Sequence, residues 1–145
     1  MNSTSAGAAG PAVDTLLEVR YAETAAQGVV YHGNYIVWFE VGRTAYCRAA
    51  GYPYPRMEAE GIHIVVSEVH ARYRRSARYG DTVTVRTRFG TIKSRGCTFH
   101  YEVLLPDGSL AVEGETHHLF LEAATGRLCL VPSGIREAFT AFIRS

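Results

Sequence analysis

Hydrophobic and polar positions divide the chain into two unlike parts. From Asn34 to about Ala50, apolar residues (Tyr35, Ile36, Val37, Trp38, Phe39, Val41, Ala45, Tyr46, Cys47) fall on nearly every side of a helical period. Such a helix is normally wrapped by other structure. Asn34 can cap its start through a side-chain oxygen, and Gly51, with Pro53 and Pro55 beyond, can stop it. Arg56 to Glu60 can add one short turn. The other part is β-prone. Ile62–Tyr73 is a long run, Thr82–Ile92 (TVTVRTRFGTI) alternates, and Gly96–Leu105 follows. Asp107-Gly108 signals a hairpin turn. Ser109–Glu122 pairs back, and Thr125-Gly126 leads to Leu128–Val131. Before the helix, Thr15–Tyr21 predicts a short strand. Ile135–Arg144 predicts an amphipathic closing helix. The economical solution is an α+β fold in which one curved antiparallel sheet of about five strands wraps one long helix.

Composition narrows the picture. A chain of 145 residues with 47% hydrophobic content suits one domain, expected over 14–145, with 1–13 as a flexible tail. The net charge of +1 argues against general binding of nucleic acid. No apolar stretch reaches the length of a membrane span, and MNSTSAGAAGPAVD lacks the pattern of a secretory signal. Cys47, Cys97 and Cys129 are widely spaced, with no CxxC pair. Reduced thiols in a cytoplasmic protein are the expectation.

The stretch AETAAQGVVYHGNY, from Ala22 to Tyr35, carries the candidate chemistry. Helix starts offer unpaired N–H groups and partial positive charge. Around His32-Gly33-Asn34 these could polarise a carbonyl as it becomes an oxyanion. His32 is equally suited to capping or packing. Glu23 suits either a base or a structural carboxylate. Glu40, on an otherwise apolar helix, needs a partner if buried, and Arg43 three residues on offers one. Lys93 and Arg95 can share a face and bind phosphate, or lie solvated. No Walker, dinucleotide or GxSxG motif is present. His117 and His118 point to opposite strand faces, so no metal site is expected.

The run VRYAETAAQGVVYHGNYIVWFEVGRTAYCRAAG, followed by YRRSARYGD, resembles the hotdog-fold thioesterases of the 4-hydroxybenzoyl-CoA thioesterase type. The resemblance extends from about Leu17 to Val131 and is most specific over Gly28–Arg43. It implies a hotdog fold, hydrolysis of acyl-CoA without metal or redox cofactor, and a site between subunits of a dimer or a tetramer of dimers. It implies an oxyanion donor at the His32 N–H, with Asn34 beside it. It implies a CoA phosphate contact at Lys93, Ser94 and Arg95. The expected ligand-contacting set is Gly28, Val29, Tyr31, Tyr35, Ser67, Lys93, Ser94 and Arg95. The family's catalytic aspartate, three residues before the turn glycine, falls on Ala25.

A methyl group cannot attack a thioester or accept a proton. Three explanations stand: an engineered replacement of aspartate; a natural variant that positions water with help from Glu23, His32, Asn34 or Glu40; or an acyl-CoA or acyl-carrier binding module without turnover. A hotdog dehydratase using His32 and Glu40 is a further alternative. The expected substrate is a small-to-medium acyl- or aryl-CoA, with Tyr31, Tyr35, Trp38, Tyr52 and Tyr54 able to line its pocket or to serve the core.

Overall fold

The structure, a computed structural model, describes residues 9–145. Five antiparallel strands form one sheet: β1 Ala9–Glu18, β2 Ile62–Tyr73, β3 Thr82–Ile92, β4 Gly96–Leu104 and β5 Leu110–Glu122. Their spatial order is β1-β3-β4-β5-β2, so β1 and β2 are the edges. Three helices complete the chain: α1 Gly33–Ala49, α2 Tyr54–Ala59 and α3 Ser133–Arg144. This is the wrapped-helix arrangement that the periodicity predicts.

Boundaries differ where pairing overrides local pattern. β1 begins at Ala9 rather than Thr15, inside the segment expected as tail, because β3 offers partners as far as Ala9↔Phe89. The remainder of that tail, 1–8, lies outside the described residues. β1 also ends at Glu18, and Tyr21–Glu23 forms a 3-10 turn in place of the strand end expected there. Leu128–Val131 contributes one bridge, Leu121↔Leu128, rather than a strand.

The core lies between α1 and the sheet. Trp38, Phe39, Tyr46, Phe89, Phe99, Tyr101 and Phe120 are fully buried in it. Phe39 stacks on Tyr101 with ring centroids 4.4 Å apart. α3 closes the far side through Phe139, 4.9 Å from Phe89, and Phe142, 5.2 Å from Tyr46. Gly42 lets α1 approach β3 closely: a Cβ there would stand 2.3 Å from Thr87 Oγ1.

The expectation that α1 is wrapped on nearly every side needs correction. Ile36, Val37 and Val41 remain exposed, because the sheet of one chain curls around only one side of the helix. The expected Glu40–Arg43 pair does not form either. Arg43 is buried and points inward, where its Nε donates to Tyr54 Oη at 2.7 Å and its Nη1 to Tyr101 Oη at 3.1 Å. A polar chain continues from Tyr101 Oη to Thr116 Oγ1 at 2.6 Å and on to His118 Nε2 at 2.7 Å. Burial, reinforced by the Arg43 charge, lowers the His118 pKa to about 3, so this imidazole stays neutral.

Candidate functional site

The loop before α1 is tied at one carbonyl. Glu23 O accepts from Tyr31 N at 2.9 Å and from Asn34 Nδ2 at 2.9 Å. Asn34 is therefore a clamp from inside the helix and not its N-cap; His32 holds that place without a side-chain cap bond. The backbone already turns helical at His32, which leaves the Asn34 amide directed back at the loop. Inside the tie, Ala25 N donates to Val29 O at 2.7 Å and closes a tight turn. That turn needs positive φ at two successive residues, Gln27 (67°) and Gly28 (72°). Glycine adopts it without strain, whereas glutamine is held there at a cost of about 1–2 kcal/mol.

A second set of bonds fastens the turn to the segment after β2. Val30 N donates to Ala77 O at 3.0 Å, and Tyr79 N to Gly28 O at 2.9 Å. Tyr35 is buried, and its hydroxyl oxygen accepts from Ala77 N at 2.8 Å. It is thus a strut beneath the loop. Tyr73, at the end of β2, donates its hydroxyl to His32 O at 3.3 Å. The His32 ring lies exposed between Tyr31, 4.4 Å away, and Tyr73, 6.0 Å away. Among the described residues no hydrogen bond takes up the backbone N–H of His32 or Gly33. His32 borders an open cleft of about 250 Å³, lined also by Val30, Tyr35, Tyr73, Arg74, Arg75 and Ser76.

The two candidate carboxylates differ sharply. Glu23 is buried, and its oxygens accept from Trp38 Nε1 at 2.9 Å, from Arg20 N at 2.8 Å and from Arg20 Nη2 at 3.3 Å. Burial pushes its pKa upward, but the Trp38 and Arg20 hydrogen bonds prevail and hold it below the usual carboxylate value. This carboxylate is committed to joining the loop to α1. Glu40 is exposed, and among the described residues no hydrogen bond or ion pair engages it. It lines a cleft of about 320 Å³ with Arg43, Tyr54, Met57, Glu58 and residues 62–65 of β2. Ala25 is exposed on the loop.

The single chain does not bring all the expected site residues together. Lys93, Ser94 and Arg95 form the β3–β4 turn, with exposed side chains and with backbone bonds that dock the turn on β5 and α3. Gly96 is level with Leu119, and β5 carries that level to Val65 on β2. Tyr73 and the loop lie eight residues further along β2, about 26 Å away. Ser67 sits midway on β2, where its hydroxyl donates to His117 O at 3.1 Å. Of the aromatics offered as pocket lining, Trp38 and Tyr52 are buried in the core, while Tyr31 is exposed beside His32. The Arg74–Ser76 edge of the cleft lies in the run YRRSARYGD that the resemblance includes, but none of these residues was expected in the site. Its position depends on where β2 ends.

Comparison with known proteins bears on the family and the fold. The family model described as "Thioesterase-like superfamily" matches residues 19–139. YneP of Bacillus subtilis (strain 168) is 34% identical over 123 residues, covering 85% of this chain and 86% of YneP. The acyl-CoA thioester hydrolase YbgC of Escherichia coli O157:H7 is 27% identical over 99 residues, covering 68% of this chain and 74% of YbgC. The crystal structure of DHNA-CoA thioesterase from Staphylococcus aureus superposes with a TM-score of 0.85 at 32% identity, covering 90% of this chain and 89% of that one.

Proposed function

Given that the chain belongs to the thioesterase-like superfamily of thioester hydrolases and has its hotdog fold, we propose that it acts on a small-to-medium acyl- or aryl-CoA in a site completed by a second copy of itself. The observation that carries this reading is the pair of unclaimed N–H groups at His32 and Gly33 at the start of α1, with His32 on the rim of an open cleft. They supply what a thioester carbonyl needs as charge develops on its oxygen, and the ordered turn beneath them involves no later reorganisation.

The need for two copies follows from β2. It is an edge strand with Val66, Val69 and Tyr73 exposed, and long apolar edges invite pairing. Two β2 strands meeting antiparallel about Ser67 would set the Tyr73 end of one against the Ile62 end of the other. The cleft at His32 would then face the partner's cleft lined by Glu40 and Arg43, and the partner's 93–95 turn would come to the same end. Residues separated by the length of a sheet would form one site, and the exposed stripe of α1 would be covered.

Ala25 supplies no base, Glu23 is committed, and Glu40 is the unengaged carboxylate that the pairing brings nearest. We infer slow hydrolysis in this chain, with water positioned by the backbone donors and by the partner's Glu40. General-base removal is worth roughly 10²–10⁴ in rate. Thiol release from a panel of acyl-CoAs, measured on this chain and on Ala25→Asp, tests the reading. The aspartate variant should gain roughly 10²-fold or more in kcat. If neither form releases thiol from any substrate, hydrolysis is excluded. Saturable CoA binding without turnover in both forms would favour the binding module, which the methyl group at Ala25 and the engagement of Glu23 also suit.

A further inference from the structure

Every second residue of β5 turns away from α1. Val112, Thr116, His118 and Phe120 are buried toward the core, and the backbone of Gly114 lies against Phe39. Glu113, Glu115 and His117 therefore stand on the opposite face of the sheet. What faces them on β2 is decided by a bulge. Up to Val66 the even-numbered residues of β2 pair with core-facing residues, as in Ile64↔Phe120 and Val66↔His118. The register then shifts between Val66 and Glu68, leaving Ser67 as the extra residue. Beyond it the odd residues Val69 and Ala71 pair with core-facing Thr116 and Gly114. Glu68 and His70 are thereby turned to the outer face.

The result is a two-by-two patch. Glu68 lies opposite His117 and His70 opposite Glu115, each pair directly across one ladder. Glu68 Oε1 is 3.0 Å from His70 Nε2, and Glu115 Oε2 is 2.5 Å from His117 Nε2. One ligand atom each from Glu68, His70 and His117 all lie within 4.8 Å of one another. A tetrahedral zinc ion with bonds of about 2.0–2.2 Å holds its ligand atoms about 3.3–3.6 Å apart. Glu68 and His70 are exposed, so a small side-chain rotation reaches that spacing without moving the backbone. The Lys93 ammonium lies close enough to act on Glu68, and His100 lies opposite Glu115 on β4. Two carboxylates offset the cationic surroundings.

We propose that Glu68, His70 and His117, with Glu115 as fourth donor, bind a divalent transition-metal ion of the zinc type. Two imidazoles with carboxylates select zinc or cobalt over magnesium or calcium, which favour all-oxygen sites. The ion would join edge strand β2 to β5 on the face away from α1. It is a clip on the strand that the thioester site depends on, and it takes no part in hydrolysis. The inference stands apart from the proposed activity and does not require it.

The test uses the untagged full chain, stripped with chelator. Calorimetric titration with Zn²⁺ should give one ion per chain with a dissociation constant in the micromolar range or below. Co²⁺ should give tetrahedral visible bands without a thiolate charge-transfer band, which separates this site from Cys129. His70→Asn, His117→Gln and Glu68→Gln should each weaken Zn²⁺ binding by tenfold or more while circular dichroism stays that of the parent. Zn²⁺ should raise the melting midpoint of the parent and leave that of His117→Gln unmoved. Absence of saturable Zn²⁺ binding, binding unchanged in His70→Asn and His117→Gln, or a thiolate signature with Co²⁺ would each overturn the assignment.

Discussion

Glu23 shows how fully a carboxylate beside a reactive loop can be absorbed by structure. Its side chain accepts from the Trp38 indole and from the Arg20 amide, while its carbonyl receives both Tyr31 and Asn34. Its folded pKa lies below the ordinary value of 4.5. The sign follows directly: its contribution to stability is fully present above about pH 4.5 and is lost as pH falls through the lower folded value. Glu23→Gln should therefore cost about 1–3 kcal/mol at neutral pH. The gap from the parent should close on acidification below that range. Denaturant midpoints of both proteins from pH 7 to pH 3 measure this, and a gap that stays constant with pH would show that the carboxylate charge contributes nothing. The side chain of Ala25, by contrast, is exposed on a loop that these bonds keep in place.

At the scale of elements, the fit of α1 against β3 is set by one missing side chain. A Cβ at Gly42 would meet Thr87 Oγ1 at 2.3 Å and Val85 Cγ1 at 2.7 Å, both buried side chains of β3. Gly42→Ala gains helix propensity of about 1 kcal/mol, yet overpacking a rigid core costs about 1–3 kcal/mol or more. The variant should melt several degrees lower, read by thermal unfolding. Adding Thr87→Ala should recover part of the loss, because it removes the nearest obstructing atom. An unchanged midpoint in Gly42→Ala would mean that helix and sheet separate freely at this point. The bulge at Ser67 acts on the same scale: one extra residue reverses which side chains of β2 face the core.

For the molecule as a whole, one chain leaves large apolar residues exposed, Val66 and Val69 on β2 and Ile36, Val37 and Val41 on α1. Pairing of two β2 edges would cover them and join the two clefts. The chain should therefore be at least a dimer by light scattering. The double change Val66→Lys and Val69→Lys, which would set like charges across the proposed β2–β2 pairing, should yield monomers and lose CoA affinity together. Monomers that retain full CoA binding would show that one chain holds the whole site.

Much of this architecture is legible in the sequence. The helical period after His32, the alternating strands from Thr82 and the Asp107-Gly108 turn are local patterns, and each forms within a residue or two of its expected place. The expectation at Ala25 is also a local one, since the resemblance places the family's aspartate three residues before the turn glycine. The remaining features were not legible, because they depend on pairing between distant segments. β1 reaches back to Ala9 only because β3 provides a partner. Arg43 leaves Glu40 for Tyr101, 58 residues further along the chain. Strict alternation along Ile62–Tyr73 would place Ile64, Val66, Glu68 and His70 on one face, and only the register with β5 reveals the bulge that parts them. Local pattern along the chain was enough to set which segments are helix and strand. Tertiary structure alone decided which charges are buried, which face of β2 is which, and that the two ends of the expected site lie a strand apart. Backbone periodicity is encoded residue by residue, whereas register and side-chain partnership are settled by packing across the sheet.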